Sequence, residues 1–203
     1  MNENYGLLGT YDLWQFWNRL PNNIKVEILK HYEESPLMWD YKTLFAGQYE
    51  CNDEKGAISI LNLLLLFNDL ELCDLLFSKF LEYDIVNYGK EIYWIDAHFF
   101  ISNYSKRVYS LFINGHCDSK RFERVFYFEF ENAELIINAL ESIKLFPVRN
   151  IVFDQYLIYS EKQKQFDECV KVISVLKKQG WNNDFEKREM RCKKKIKDNG
   201  NKG

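Results

Sequence analysis

The sequence is poor in the two residues that most often interrupt regular structure. Its 203 residues include 3 prolines and 9 glycines. Proline removes a backbone donor and glycine costs backbone entropy, so long stretches without either favour helices over a β fold with many turns. Hydrophobic residues make up 47% of the chain and aromatic residues 17%, which is enough for a packed core. We therefore expect an all-α fold.

The chain also lacks the short motifs that bind phosphates, dinucleotides or catalytic zinc, or that carry a nucleophilic serine. It contains no GxxxxGK followed by Ser or Thr, no GxGxxG, no HExxH and no GxSxG. Its paired carboxylates are adjacent in the sequence, as on solvated helix faces. We expect a non-enzymatic protein with no cofactor and no bound metal.

One group of residues has the composition of a catalytic or metal site: Asp96, His98 and Tyr104. On a helix, however, residues two apart point about 200° away from each other, so Asp96 and His98 diverge. This spacing favours a structural, hydrogen-bonded histidine.

Paired cysteines and long apolar runs are missing too. The 5 cysteines are odd in number and scattered, with no CxxC pair, which favours free thiols in a reducing compartment. No secretory signal pattern opens the chain, and its most apolar stretch, 58–67, is about half the length of a membrane span. We expect a soluble, cytoplasmic protein that does not bind membranes.

The charge of the chain is unevenly distributed. Residues 1–160 carry 23 acidic and 14 basic side chains, a net charge of −9, whereas residues 161–203 carry 13 basic and 7 acidic, a net charge of +6. The basic run within 187–197 is a possible contact for nucleic-acid phosphates. The acidic remainder of the chain argues against broad affinity for nucleic acids.

Apolar residues at helical spacing predict about 8–10 helices in a single domain over 1–198, followed by a disordered tail at 199–203. We expect the cluster of Trp14, Phe16 and Trp17 to be buried. The run VFYFEF at 125–130 alternates like a strand, but about 25 residues without Gly or Pro around it favour a helix. The predicted groups are an N-terminal helical hairpin at 11–34, central helices within 56–146 (57–67, 70–83, 88–114 and 121–146), and a hairpin with a basic capping helix at 150–197.

The C-terminal segment has the clearest pattern. Apolar residues line its second helix at Phe166, Cys169, Ile173 and Leu176. Gly180 suits the left-handed residue that ends a helix. We expect Trp181 to pack back onto the hairpin, and Asn183 or Asp184 to cap the last helix.

The phrases EKQKQFDECVKVISVLKKQGWNNDFEKREMRCKKK, DAHFFISNYSKRVY and YDLWQFWNRLPNNIKVEILKHY resemble parts of bacterial tetratricopeptide-like proteins. The resemblance implies antiparallel helical hairpins stacked as a right-handed array, with a groove for an extended or helical partner. Leu157 stands where the family usually has a small residue, which suggests a terminal unit. The residues that we expect to contact the partner are Asn103, Tyr104, Arg107, Tyr159, Arg188 and Arg191.

Three functional hypotheses follow. The leading one is a module that binds a partner protein or peptide in a helical-repeat groove. The second is a stoichiometric inhibitor, such as a toxin-immunity or phage counter-defence protein, whose acidic surface masks a partner enzyme. The third is nucleic-acid binding through the basic C-terminal helix.

Overall fold

The described residues form α-helices joined by turns and short loops. A computed structural model describes residues 6–10, 13–34, 44–47, 70–82 and 91–200. Within these ranges there are ten α-helices and no strand, which confirms the all-α prediction. The chain divides into two compact units, Met1–Ile85 and Val86–Gly203, whereas the sequence pattern led us to expect one domain over 1–198.

The N-terminal unit contains four described helices. They are α1 (Gly6–Thr10), α2 (Trp14–Arg19), α3 (Asn22–Glu34) and α4 (Leu70–Glu82). Helices α2 and α3 lie on either side of Pro21, as expected. The helix predicted at 57–67 lies outside the described residues.

Aromatic packing dominates the described part of the N-terminal unit. Trp14, Phe16 and Trp17 are buried, as predicted. The rings of Trp14 and Trp17 lie 5.9 and 5.3 Å from that of Phe45. Gly6 has a φ of +72°, and a Cβ there would meet the Leu44 carbonyl oxygen at 2.3 Å, so only glycine fits this approach.

The described residues of the C-terminal unit form six helices. They are α5 (Glu91–Ile113), α6 (Lys120–Glu131), α7 (Ala133–Ser142), α8 (Ile151–Lys162), α9 (Phe166–Gln179) and α10 (Phe185–Gly200). The prediction of one helix over 121–146 is wrong, because the segment breaks at Asn132 and ends at Ser142. The Asn132 side chain donates to the Phe128 carbonyl at 2.8 Å, a local hydrogen bond that competes with the helix. The VFYFEF run is helical, as expected.

Contacts between side chains give the directions of three central helices. His98 near the start of α5 meets Glu129 near the end of α6, whereas Phe112 and Phe122 meet at the opposite ends, so α5 and α6 are antiparallel. Helix α6 is likewise antiparallel to α8, and α5 is therefore parallel to α8.

These helices enclose a cluster that we call the aromatic core. Its tightest pair is Phe126 and Tyr156, with ring centroids 3.6 Å apart and planes within 5°. Aromatic pairs add about 0.5–1.5 kcal/mol beyond the burial of their area. The aromatic core comprises Tyr109, Phe112, Phe122, Phe126, Phe153, Tyr156 and Tyr159.

Helices α9 and α10 form the C-terminal edge of the unit. Gly180 ends α9 with a φ of +88°, and Trp181 packs against Phe146 and Phe153, both as predicted. Lys177 near the end of α9 pairs with Glu186 near the start of α10, so the two helices are antiparallel.

Helix α10 and the loop before it show two further details. Helix α10 continues to Gly200, so the predicted disordered tail is wrong at 199 and 200, because no Pro or Gly interrupts the helix before that point. The Asn183 side chain bonds to the backbone of Asn150, accepting its N–H at 3.2 Å and donating to its carbonyl at 2.8 Å. Asn183 therefore ties two loops together.

Candidate functional site

A basic cleft opens at the C-terminal edge of the second unit. It lies among the end of α8, the α8–α9 turn, the start of α9 and the outer face of α10, and its volume is about 510 Å³. A cleft of this size lies in the range of ligand sites. The basic cleft is lined by Glu161, Lys162, Lys164, Phe166, Arg191, Cys192, Lys195 and Asn199.

Helical spacing explains one wall of the basic cleft. Arg191, Lys195 and Asn199 recur every four residues on α10 and therefore share one face. The other wall follows from the way α8 ends. Lys162 is the last residue of α8, and Lys164 has a φ of +62°, which turns the chain into α9 at Phe166.

Cationic side chains outnumber acidic ones around the basic cleft. Of its lining residues that the structure describes, four are cationic and Glu161 alone carries a carboxylate. Among the described residues, Lys162, Lys164 and Lys195 have no ion-pair partner. The cleft therefore offers positive charge that the folded chain does not neutralise.

Glu161 is held by two arginines of α10. Arg188 donates to Glu161 Oε2 at 2.6 Å, and Arg191 lies 3.2 Å from both carboxylate oxygens. The Arg188 side chain is 14% exposed and that of Arg191 is 57% exposed. Arg188 is thus the inner partner, whereas Arg191 faces the opening.

Two buried thiols lie beneath the basic cleft. Cys192 Sγ donates to Glu161 Oε1 at 3.5 Å, and Cys169 Sγ donates to the Leu157 carbonyl at 3.7 Å. Burial, reinforced by Cys192, raises the pKa of the Cys169 thiol to about 12, and burial beside Glu161 raises the pKa of Cys192. Because the thiolate is the nucleophile, these protonated thiols are poorly reactive.

The residues predicted to bind a partner are only partly brought together. Arg188 and Arg191 converge on Glu161. Tyr159 packs into the aromatic core, where its hydroxyl donates to Ser119 at 3.1 Å.

The three predicted contacts on α5 do not line the cleft. Tyr104 is 2% exposed, so the expectation that its side chain is exposed to a partner is wrong: its ring stacks with Phe100 in the interior. Asn103 is half-buried and accepts a bond from Lys106 at 3.4 Å. Arg107 is half-buried on the same helix.

Sequence reasoning missed the lysines of the α8–α9 turn and the role of Phe166. The sequence pattern marks Phe166 only as one of the apolar residues of a helix. The available signal was the four-residue spacing of Arg191, Lys195 and Asn199, which puts them on one face of a helix that follows a lysine-bearing turn.

The histidine singled out from the sequence belongs to a separate, buried network. His98 Nδ1 lies 2.5 Å from Glu129 Oε1, which also accepts from the Asn150 amide at 2.8 Å. His98 is 5% exposed and Glu129 is fully buried. His98 is thus hydrogen-bonded, as expected, and its structural role stays a prediction. This buried polar network (His98, Glu129, Asn150 and Asn183) joins α5 and α6 to the loops before α8 and α10.

The described ranges contain neither a cluster of metal ligands nor a membrane-spanning helix. Within them, no three His, Cys, Asp or Glu side chains are grouped closely enough to hold a metal ion. None of the helices in those ranges combines the length and apolarity needed to cross a membrane.

No protein-family model, curated protein or solved structure matches this chain. The resemblance to tetratricopeptide-like proteins therefore stays a prediction.

Proposed function

We propose that this protein is a non-enzymatic interaction module that holds an acidic segment of a partner protein in the basic cleft. The observation that carries this proposal is the set of lysines without ion-pair partners among the described residues, Lys162, Lys164 and Lys195, around a cleft of about 510 Å³. Carboxylates and phosphates are the groups that such cations recognise. The inert thiols and the absence of known catalytic motifs from the sequence favour binding over chemistry.

The dimensions of the basic cleft suit an extended chain. The eight-residue step from Arg191 to Asn199 on α10 corresponds to about 12 Å of helix. An extended peptide rises about 3.3 Å per residue, so about four of its residues would follow this wall. Phe166 adds an apolar surface for a neighbouring side chain.

The helix directions are compatible with the expected stack of tetratricopeptide-like hairpins. In such a stack, corresponding helices of successive hairpins are parallel and the helices of each hairpin are antiparallel. Helices α5, α6 and α8 follow this pattern. We propose that α8 and α9 form the terminal hairpin, and that α10 caps it and supplies the basic wall.

Peptide binding tests the proposal directly. The full chain is titrated into short fluorescein-labelled peptides that carry Glu, phosphoserine or Lys at the same two positions, and anisotropy is recorded at several salt concentrations. The two acidic peptides should bind, the Lys peptide should not, and added salt should weaken binding.

Two neighbouring lysines of α10 supply a matched pair of variants. Lys195→Glu should weaken binding of the acidic peptides by about tenfold or more, because it reverses a charge that lines the cleft. Lys194→Glu makes the same change of net charge at an exposed residue outside the cleft and should have a much smaller effect. Equal effects of the two variants, or no binding of either acidic peptide, would overturn the proposal.

A labelled single-stranded oligonucleotide separates protein binding from nucleic-acid binding. If the oligonucleotide binds more tightly than both acidic peptides, with a steep salt dependence, the partner is a nucleic acid and the proposal fails. Weaker oligonucleotide binding supports a protein partner.

A further inference from the structure

Arg191, which lines the basic cleft, and Arg188, which does not, already hold an anion. Arg188 and Arg191 both bond to the Glu161 carboxylate, which is 20% exposed and comes from the adjacent helix α8. An anion that reaches Arg191 in the cleft has to share it with Glu161 or displace the Glu161 carboxylate.

A ligand carboxylate gains little affinity by displacing Glu161 from an arginine. The carboxylate of an Asp or Glu carries the same single charge as Glu161, and it would replace a contact that the protein already makes internally. Such a carboxylate gains affinity only from the lysines. Lysines bind as flexible point charges and lack the planar fork of arginine.

A phosphomonoester differs in charge and in number of acceptors. It carries a charge of about −1.5 to −2 at pH 7 and three acceptor oxygens. Arg191 is the more exposed arginine, so a phosphate in the cleft can reach it while Arg188 keeps its 2.6 Å bond to Glu161. Lys162 and Lys195 line the same cleft, so their ammonium groups can pair with the second negative charge of the phosphate.

We infer that Glu161 makes the basic cleft selective for phosphorylated segments over segments whose negative charge comes only from Asp and Glu. Glu161 competes with the ligand for the arginines. A ligand carboxylate carries the same charge as Glu161, whereas a phosphomonoester carries a larger negative charge. This inference rests on the proposed function, because it names the class of acidic segment that the cleft holds.

The experiment compares the matched Glu and phosphoserine peptides on the wild-type chain and on Glu161→Gln. The wild type should bind the phosphoserine peptide at least about tenfold more tightly than the Glu peptide. In Glu161→Gln both arginines are free of their internal carboxylate, so the Glu peptide should gain the most affinity and the ratio should fall to about threefold or less. A wild-type ratio near one, or an unchanged ratio in Glu161→Gln, would overturn the inference.

The pH dependence tests whether the second charge of the phosphate is what makes the wild type prefer the phosphoserine peptide. The second pKa of phosphoserine is about 6, so below that pH its phosphate carries a single charge like a carboxylate. The preference of the wild type for the phosphoserine peptide should therefore shrink as pH falls from 7 to about 5. A preference that stays constant over this range contradicts the inference.

Two further measurements complete the design. Arg191→Gln leaves the Arg188 bond to Glu161 in place. It should weaken binding of the phosphoserine peptide more than binding of the Glu peptide, which an unfolded variant could not do.

Failure of the inference is distinguishable from failure of the proposed function. If Lys195→Glu weakens binding of both peptides but the wild type binds them with equal affinity, only the selectivity is wrong. Inorganic phosphate should compete only weakly, and competition as strong as that of the phosphoserine peptide would mean that the cleft binds free phosphate.

Discussion

The aromatic core and the basic cleft share helix α8 and use it in opposite ways. The first half of α8 is buried, and its rings at Phe153 and Tyr156 pack against α6. Its last residues, Glu161 and Lys162, lie at the surface and face the cleft. Helix α8 thus packs into the core at its first end and lines the cleft at its last. Substitutions near its start should therefore affect stability, and those near its end should affect binding.

Polar groups show the same contrast. In the buried polar network, Asn150 and Asn183 bond to each other and to backbone groups, as buried polar atoms must. Glu129 Oε2 departs from this rule, since it is buried without a hydrogen-bond partner, and outside the network Ser160 Oγ does the same. In the basic cleft the lysines are solvated instead, so leaving them without a protein partner costs the fold little.

The largest effect on stability should come from the aromatic core. Phe126→Ala removes a ring that is 1% exposed and stacked on Tyr156, and it should lower the free energy of unfolding by about 3–5 kcal/mol. Denaturant unfolding followed by circular dichroism measures the change. Tyr127→Ala, at a neighbouring residue that is 47% exposed, should cost less than about 1 kcal/mol. Similar losses in the two variants would mean that the core is not where α6 contributes its stability.

The second largest effect on stability should come from the buried polar network. The Asn150 side chain accepts from the backbone N–H of Val152 at 2.9 Å, which caps α8, and donates to Glu129. Asn150→Ala removes both interactions and leaves Glu129 with fewer donors, so the free energy of unfolding should fall by about 2–3 kcal/mol. The control is Asn182→Ala, at the exposed residue that precedes Asn183 in the sequence. This substitution should be nearly neutral in the same denaturation assay. A neutral Asn150→Ala would contradict the role of this network.

The features that the sequence predicted correctly are local ones. Gly180 ends α9, and Trp14, Phe16 and Trp17 are buried, because a backbone conformation and an apolar face depend on neighbouring residues. The break at Asn132 was missed even though it is local, since an asparagine is tolerated inside many helices and no Gly or Pro marks this one.

The candidate site was harder to predict, because it depends on residues far apart in the sequence. Glu161 meets Arg188 across 27 residues, and His98 meets Glu129 across 31. Helical spacing placed Arg188 and Arg191 on a basic helix, but only the packing of α10 against α8 shows that a carboxylate already holds them. The stacked, right-handed arrangement stays a prediction.

The cleft should contribute to binding without contributing to stability. Lys195→Glu changes an exposed side chain, so the free energy of unfolding should stay within about 0.5 kcal/mol of the wild type while the acidic peptides bind at least about tenfold more weakly. The two measurements are made on the same preparation. A loss of stability comparable to that of Asn150→Ala would mean that the lysine supports the fold, and the contrast between core and cleft would not hold.

The smallest effect should come from the exposed ion pairs between α9 and α10. Lys177 lies 3.1 Å from Glu186 and 2.9 Å from Glu189, and its hydrogen bonds are the main cause that lowers the pKa of each carboxyl. A carboxyl whose pKa is lowered in the folded state stabilises the fold above its unfolded pKa of about 4.3, and loses that contribution as pH falls through the folded value.

Lys177→Gln should therefore lower the melting temperature slightly at pH 7, and the difference from the wild type should disappear as pH falls below about 4. Thermal unfolding at a series of pH values, at low and high salt, measures it, and salt should reduce the difference because these groups are exposed. Lys178→Gln is the control, since Lys178 is exposed and has no ion-pair partner among the described residues. A difference that persists or grows in acid would mean that Lys177 stabilises the hairpin through packing of its aliphatic stem instead of through its charge.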